Sequence, residues 1–260
     1  MFYRKRRYQR KGKRVARKGT RKPKVSAPIR RYVRSAIHRQ IENKKWVDYS
    51  LNNTITTASA SFPSYTNLMP VIAQGTGQMG RIGNKINVRR AMVKGFVNLL
   101  PYNATTNPKV GPLMVKIWVC TSKKYHTHLI TSTAIDSNFF ETGNGSYGFS
   151  GSLLDNMFKN NDSEWKIHAT KQFELGASSW GGVSSTYNPI SNDNSRFIQP
   201  FYFNLTKALK KNLLYNDNTS SYCTNQSLFL VFQAVYADGT STAVQAAEFH
   251  HTVEVEYEDA

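Results

Sequence analysis

The side chains best suited to a chemical task in this chain are basic residues crowded at its N-terminus. Thirteen of the first 24 residues are Lys or Arg, and none is Asp or Glu. Counting on to Lys45 gives nineteen basic residues against one acidic residue, Glu42, so residues 1–45, the arm, carry a charge of +18. The remaining chain holds sixteen basic and fifteen acidic residues. A like-charge segment this dense repels itself, and we expect it to stay disordered until it binds a polyanion.

Nucleic acid is the polyanion that fits such an arm, because each phosphate contact releases counterions and favours binding whatever the base sequence. Tyr3 and Tyr8 lie among the basic residues, and aromatic rings can stack on unpaired bases, which favours a single-stranded partner. The same basic clusters suit recognition by the nuclear import machinery. The arm residues predicted to contact nucleic acid are Arg4, Lys5, Arg6, Arg7, Arg10, Lys11, Lys13, Arg14, Arg17, Lys18, Arg21, Lys22 and Lys24.

A second group of basic residues lies in the body of the chain, within positions 81–90. It is the densest basic patch outside the arm, so it is a candidate for an inner face that meets nucleic acid. Ordinary solvation of a loop and a strand is the alternative interpretation. The four residues are Arg81, Lys85, Arg89 and Arg90.

One glycine pattern invites comparison with a dinucleotide site. Gly75, Gly77 and Gly80 match G-x-G-x-x-G, but that site needs a strand before it, a helix after it and an acidic residue about 20 positions further on. Here the following sequence is strand-like, and the next acidic residue is Asp136. A flexible loop is therefore the better interpretation.

The other titratable residues predict no metal site, no cofactor and no catalytic centre. His126 and His128 lie close together, but no cysteine or carboxylate stands beside them, so we interpret them as loop histidines. Glu254, Glu256 and Glu258 alternate along one strand face. That face is either solvated or forms a salt-bridge strip or cation site against a neighbouring subunit. Nothing in the sequence supports an enzyme.

Length and composition fit an arm at 1–45 followed by one large domain at 46–260. Cys120 and Cys223 are the only cysteines, and both lie in apolar, strand-like runs, so we predict buried free thiols. No apolar stretch approaches the ~20 residues of a membrane span. The N-terminus lacks the apolar segment of a signal peptide, and we expect a soluble protein made inside the cell.

The end of the arm has the pattern of a short basic amphipathic helix at about 28–43. Its apolar residues recur every four positions, which predicts a narrow stripe formed by Ile29, Val33, Ile37 and Ile41. Such a helix can lie on nucleic acid or against the underside of the body, and a membrane surface is the less favoured alternative. Its predicted secondary contacts to nucleic acid are Arg30, Arg31, Arg34 and Arg39.

Strand patterns dominate from Trp46 onward, where we count seven or eight strands and one short helix around Ser152 to Phe158. The run SLFLVFQAVYA is the most buried in character, and Asp238-Gly239 after it predicts a tight turn. Pro200 predicts an edge strand or a bulge. The last strand alternates almost perfectly and places on one face Phe249, His251, Val253, Val255 and Tyr257.

The connections at 121–163 and 176–195 are long and rich in Gly, Ser, Asn and Thr. Short antiparallel strands with long loops at their ends fit a jelly roll. The predicted fold is all-β: a single eight-stranded antiparallel jelly-roll sandwich with a disordered basic N-terminal arm and long loops.

The chain resembles the capsid proteins of small circular single-stranded DNA viruses, the circovirus-like group that encodes a replication initiator. The resemblance is carried by QGTGQMGRIGNKI, from Gln74 to Ile86, and by the strand VRRAMVKGFVNL that follows it. This run looks like the entry to the second strand of that capsid jelly roll. Small plant satellite and tombus-like capsids have a similar run, so the motif supports the wider superfamily more firmly than the genome type.

The resemblance implies a viral capsid protein that builds an icosahedral T=1 shell of sixty copies with the arm inside. It favours single-stranded DNA over RNA as the partner, the virion as the location, and the host nucleus during assembly. Sixty arms would carry about 1,080 positive charges, which balance roughly a kilobase of single strand. The host attachment factor is not predicted. The alternative function is a cellular nucleic-acid-binding protein with a basic tail, ribosomal or chromatin-associated.

Overall fold

The protein forms two compact units, Met1–Ile41 and Glu42–Ala260. Its computed structural model describes residues 26–40, 43–57, 64–101, 103, 105–108, 111–126, 135, 137–143, 145–176, 196–216, 220–239 and 244–259. The thirteen arm residues predicted to contact nucleic acid, from Arg4 to Lys24, lie outside the described residues.

In the part of the first unit that the structure describes, residues Ala27–Gln40 form the helix α1. Its first backbone hydrogen bond runs from the Arg30 N–H to the Ser26 carbonyl oxygen at 3.1 Å, and Pro28 suits the first turn because its own missing N–H would have no partner there. The predicted helix ran to about residue 43, but Asn43 already begins a strand. From Asn43 to Val47, burial alternates along the chain with a period of two, and strand pairing replaces the helical period of four.

The arm is accordingly shorter than predicted, because Lys44 and Lys45 belong to the first strand of the body. Residues 1–41 contain seventeen basic and no acidic residues, a charge of +17. The body from Glu42 onward holds eighteen basic and sixteen acidic residues. This boundary leaves the N-terminal unit without any acidic residue and the body with a net charge of +2.

The described part of the second unit is built mainly from strands, with a short 3₁₀ helix at Leu153–Asn156, where the sequence predicted a helix. In chain order the strands are β1 Asn43–Thr56, β2 Ser64–Asn67, β3 Lys85–Leu99, β4 Leu113–Ser122, β5 Phe140–Thr142, β6 Gly145–Tyr147, β7 Lys159–Asn160, β8 Trp165–Leu175, β9 Ile198–Asn204, β10 Asn212–Leu214, β11 Phe229–Tyr236 and β12 Gln245–Asp259.

The principal strands form two antiparallel sheets. One has the order β1-β12-β3-β10, with β9 pairing β3 beside β10, and the other has the order β2-β11-β4-β8. If β9 and β10 are counted as two parts of one strand, the eight strands in chain order form sheets 1-8-3-6 and 2-7-4-5. This is the strand order of a jelly roll, so the predicted all-β antiparallel jelly-roll sandwich is confirmed. The short strands β5, β6 and β7 form a third sheet within the connection that was predicted to be a loop.

The hydrophobic core lies between the two principal sheets. Val93 and Val255 from one sheet and Ile117 and Phe232 from the other are buried in it. The alternating face of β12 contributes to this core, and its five predicted residues from Phe249 to Tyr257 are all buried.

A second core covers the opposite side of the four-stranded sheet. Trp118 lies at its centre and contacts Phe139, Phe140 and Phe149 with ring centroids 5.6 to 6.2 Å apart. All eight residues of β11 are buried because each of its faces meets a core, which confirms its predicted character.

Local predictions from turn chemistry also hold. In the described part of the chain, β9 with its Pro200 pairs β3 alone, as an edge strand does. Gly239 has φ +75°, and its N–H donates to the Tyr236 carbonyl oxygen at 3.0 Å, closing the predicted turn.

Cys120 and Cys223 are both free and buried, although Cys223 lies in a loop bridge before β11 rather than in a strand.

Candidate nucleic-acid interface

Among the residues at the N-terminus that were predicted to contact nucleic acid, those on helix α1 lie in the described part of the chain. Arg30 and Arg31 are exposed on it. Arg34 and Arg39 lie further along the same helix, and their side chains are outside the described residues. Ile29 and Val33, from the predicted apolar stripe, are exposed as well. Within its own unit the helix therefore presents both guanidinium groups and apolar side chains to solvent.

Arg81 does not lie on a nucleic-acid face, and the prediction for this residue is wrong. Its side chain is fully buried. The guanidinium donates hydrogen bonds to the carbonyl oxygens of Ile72 at 3.2 Å, Gly83 at 2.6 Å and Ser220 at 2.6 Å. It also lies over the Tyr215 ring, 4.5 Å from the centroid. A buried charge is stable only when such partners satisfy it, so Arg81 joins two loops instead of contacting a ligand.

The glycine pattern around Arg81 is a closed loop rather than a dinucleotide site, as predicted. The Gly75 N–H donates to the Arg81 carbonyl oxygen at 2.9 Å, and the strand β3 follows instead of a helix. A Cβ atom at Gly80 would lie 2.5 Å from the Gly75 carbonyl oxygen. Glycine is required there because the backbone passes too close for any side chain.

The other three residues of the predicted body patch lie on β3. Lys85 is half-buried, whereas Arg89 and Arg90 are exposed. Arg89 forms an ion pair with Glu258 of β12, whose carboxylate is almost completely buried. The structure thus leaves Arg89 and Arg90 as the exposed members of this patch, and their contact with nucleic acid stays a prediction.

Glu254 and Glu258, two of the three residues of the acidic strip on β12, form ion pairs within the chain, which differs from both predicted alternatives. Glu254 accepts hydrogen bonds from Lys45 Nζ at 2.7 Å and from Lys94 Nζ at 2.6 Å. These two lysines, Lys45 first, lower the pKa of Glu254 to about 2. The pairing follows from topology, because β12 lies between β1 and β3 in the sheet and receives a basic residue from each side.

The first basic residue of the body is also paired inside the chain. Lys44 is buried, and its Nζ lies 2.8 Å from the Asp259 carboxylate and donates to the Gly80 carbonyl oxygen at 3.1 Å. The predicted arm includes Lys44, but its ammonium group is used in these contacts within the body.

The ion pairs of Glu254 give the surface around this residue a positive character. The Lys45 and Lys94 side chains are 50% and 55% exposed, whereas the Glu254 carboxylate between them is 13% exposed. Solvent therefore meets ammonium groups, and the trio keeps a net charge of +1. Lys94 was not among the predicted contacts. The signal for it was the spacing of Arg90 and Lys94 on β3, which places two basic residues on one strand face.

Within the described residues, no cluster of three or more His, Cys, Asp or Glu side chains has the proximity needed to hold a metal ion. His126 lies in a loop as predicted, and His128 is outside those residues.

Of the helices that the structure describes, none combines the length and the apolar character that crossing a membrane requires.

Comparison with solved structures finds similarity to a chain described as desmodium yellow mottle tymovirus. The similarity covers 84% of this chain and 86% of the solved one, with 11% sequence identity and a TM-score of 0.31. A similarity this weak supports no inference about function, and the fold is assigned from the strand order alone. No protein-family model matches the chain, and no curated protein matches it.

Proposed function

We propose that the protein is a viral capsid protein. Its jelly-roll body would self-assemble into a small icosahedral shell, and its arm would condense a single-stranded genome without reading its sequence. The observation that carries the proposal is that one chain contains both a jelly-roll body and a strongly basic segment. A jelly-roll body with nearly balanced charge follows a segment of +17 that contains no acidic residue.

The fold supports the proposed shell assembly, and the charge supports the proposed genome binding. Jelly rolls occur in viral capsids, in lectins and in cupins, so the fold alone leaves several functions open. A dense cationic segment outside the folded body discriminates among them, because it suits electrostatic condensation of a polyanion and adds nothing to sugar binding or to cupin chemistry.

Exposed apolar side chains on the body support self-association. Leu154 lies on the surface of the 3₁₀ helix and Met157 follows the helix directly, whereas Met79 and Ile82 lie in the loop before β3. Where such side chains form a contiguous patch, they mark a site that meets another protein. Copies of the same chain are the partner that a capsid protein requires, and closed point-group symmetry gives such an assembly a defined size.

The finer parts of the proposal follow the resemblance to circovirus-like capsids. We infer a T=1 shell of sixty copies, a single-stranded DNA genome, location in the virion and passage through the host nucleus with the arm as import signal. Sixty segments of +17 carry about 1,000 positive charges, which balance roughly a kilobase of single strand.

Two arm variants of the full chain test how the genome is held. In the first, the thirteen basic residues before position 25 are replaced by Gln. In the second, each Lys among them is exchanged for Arg and each Arg for Lys, which preserves the charge. We expect the first variant to lose copurifying nucleic acid and to flatten the salt dependence of single-strand binding by up to about nine in log–log slope.

The charge-preserving variant should package as the parent chain does, because the proposed contacts depend on charge and not on side-chain shape. The proposal fails if the Gln variant keeps the parent salt slope. It also fails if the charge-preserving variant loses binding as completely as the Gln variant does.

A further inference from the structure

The outer side of the five-stranded sheet carries four aromatic rings on four neighbouring strands. They are Tyr49 of β1, His250 of β12, Phe96 of β3 and Tyr202 of β9, and we call them the aromatic face. Tyr49 is 70% exposed and Tyr202 is 53% exposed. The four-stranded sheet differs, because its outward side is covered by the second core around Trp118. Within the described residues, the aromatic face has no such cover.

The strand register places these rings in two adjacent rows. Tyr49 pairs with Thr252, Thr252 with Lys94 and Lys94 with Tyr202, so one row crosses the whole sheet. With strands about 4.8 Å apart, the two tyrosines are separated by roughly 14 Å. In the next row Phe96 stacks on His250, with ring centroids 4.6 Å apart and planes at 22°.

A cation lies between the two tyrosines. Lys94 occupies the same row, its side chain is half exposed, and it shares the covered carboxylate of Glu254 with Lys45. The local charge of this trio is +1 and its exposed atoms are the ammonium groups. The face thus combines aromatic rings with a cation: Lys94 lies one strand away from Tyr202 and two strands away from Tyr49.

We propose that the aromatic face binds unpaired bases of single-stranded nucleic acid. Bases would stack on the rings of Tyr49 and Tyr202, and the ammonium of Lys94 would pair with a phosphate between them. Sheet faces with exposed aromatics bind single strands in this way, because every base has a π-face and stacking requires no particular sequence. A duplex does not fit, since its bases are already stacked inside.

Two observations favour this occupant over a second copy of the chain. Between the two tyrosines the exposed charged groups are the ammoniums of Lys94 and Lys45, which complement phosphate and would repel the same groups of a second copy. The arm is also joined directly to β1, the strand that carries Tyr49. A strand captured by the arm is thereby held at high effective concentration near β1. The inference shares its partner with the proposed function, but it assigns binding to the body instead of the arm.

Salt separates the two kinds of binding. At about 1 M NaCl the Debye length falls to about 3 Å, which suppresses the arm's phosphate contacts, whereas stacking persists. The probe is a fluorescently labelled oligothymidylate, followed by anisotropy with the full chain at about 0.1 M and about 1 M NaCl. We expect the parent chain to retain measurable binding at the higher salt, and a hairpin duplex of the same length to lose it.

The decisive variant is the double substitution Tyr49→Ala and Tyr202→Ala. It should weaken high-salt binding by about tenfold per tyrosine removed, while Tyr49→Phe with Tyr202→Phe should bind as the parent does because the rings remain. Tyr222→Ala removes a similarly exposed ring from a loop and should change nothing. Circular dichroism and thermal melting show whether each variant is folded.

The inference is overturned if the parent chain does not bind the oligonucleotide at about 1 M NaCl. It is also overturned if the double alanine variant binds as tightly as the parent. Sedimentation velocity without nucleic acid measures whether the parent and the alanine variant self-associate, which gives a third possible outcome. If the alanine variant alone loses a self-associated species, the aromatic face is an interface between copies. The Gln-substituted arm variant separates this result from failure of the proposed function, because it should lose the additional binding seen at low salt and should still bind as the parent does at about 1 M NaCl.

Discussion

Glu254 of β12 and Lys94 of β3 form an ion pair of 2.6 Å across the five-stranded sheet, and Lys45 of β1 binds the same carboxylate from the other side. Three strands that are far apart in the sequence are thus joined at one point. The carboxylate is covered and the ammonium groups remain in solvent, so the arrangement both links three strands and leaves a local charge of +1 at this point of the surface.

We predict that Glu254→Gln destabilises the body by about 1 kcal/mol at pH 7, because both lysines are half exposed and solvent screens them. The lysines lower the pKa of Glu254 from 4.5 to about 2 in the folded state. A depressed pKa stabilises the fold above the unfolded value and stops doing so as the carboxylate is protonated. The difference should therefore shrink as pH falls from about 4.5 to about 2.

Urea unfolding of both proteins across this pH range measures the effect, and the exposed Glu174→Gln serves as the control. Equal stability of the Glu254→Gln variant and the parent at pH 7, or a difference that persists unchanged at pH 2, would contradict the assignment.

We predict that Arg81→Lys destabilises the body by about 2–4 kcal/mol. A lysine cannot donate simultaneously to the carbonyl oxygens of Ile72, Gly83 and Ser220, and buried acceptors would be left unsatisfied. The exposed Arg90→Lys should change stability by less than about 0.5 kcal/mol. Thermal unfolding compares the two variants, and similar melting temperatures would show that Arg81 does not join the loops.

We predict that Gly95→Ala disrupts the centre of the five-stranded sheet. A Cβ atom there would lie 2.0 Å from the His250 carbonyl oxygen and 2.7 Å from the Phe201 ring, so both neighbouring strands must move. The expected cost is about 3 kcal/mol or more. Gly111→Ala is the matched control, because its Cβ would meet only the Tyr236 ring at an ordinary 3.7 Å. Denaturant unfolding that gives equal midpoints for the two variants would refute this packing.

We predict that both cysteines are unreactive in the native protein. Burial raises the pKa of the Cys120 thiol and of the Cys223 thiol, so little thiolate forms at neutral pH. A colorimetric thiol reagent should titrate two thiols in denaturant and react only slowly without it. Rapid native reaction of either thiol, identified by mass spectrometry, would contradict the buried positions in the core.

The sequence predicted those parts of the fold that have a long, regular pattern. The alternation from Phe249 to Tyr257 and the continuous apolar run of β11 each specify a strand and its burial. The third sheet was missed because β5, β6 and β7 have only two or three residues each, too few to show a period.

The candidate site was harder to predict, because its properties depend on which strands become neighbours. Lys45 and Glu254 are more than two hundred positions apart, and only the sheet order brings them together. Arg81 looked like a surface contact because an arginine is seldom fully buried. The aromatic face was not predicted, since tyrosine is common throughout the chain and its strand register was not visible in the sequence.

The most direct test of the central claim is electron microscopy of the purified full-length protein in negative stain, with absorbance at 260 and 280 nm read from the same fraction. A capsid protein that packages through its arm should give uniform spheres on the order of 20 nm and an absorbance ratio typical of bound nucleic acid, whose phosphates balance the arms. A monodisperse monomer that stays monomeric after single-stranded DNA is added would contradict the capsid function and favour a cellular nucleic-acid-binding protein.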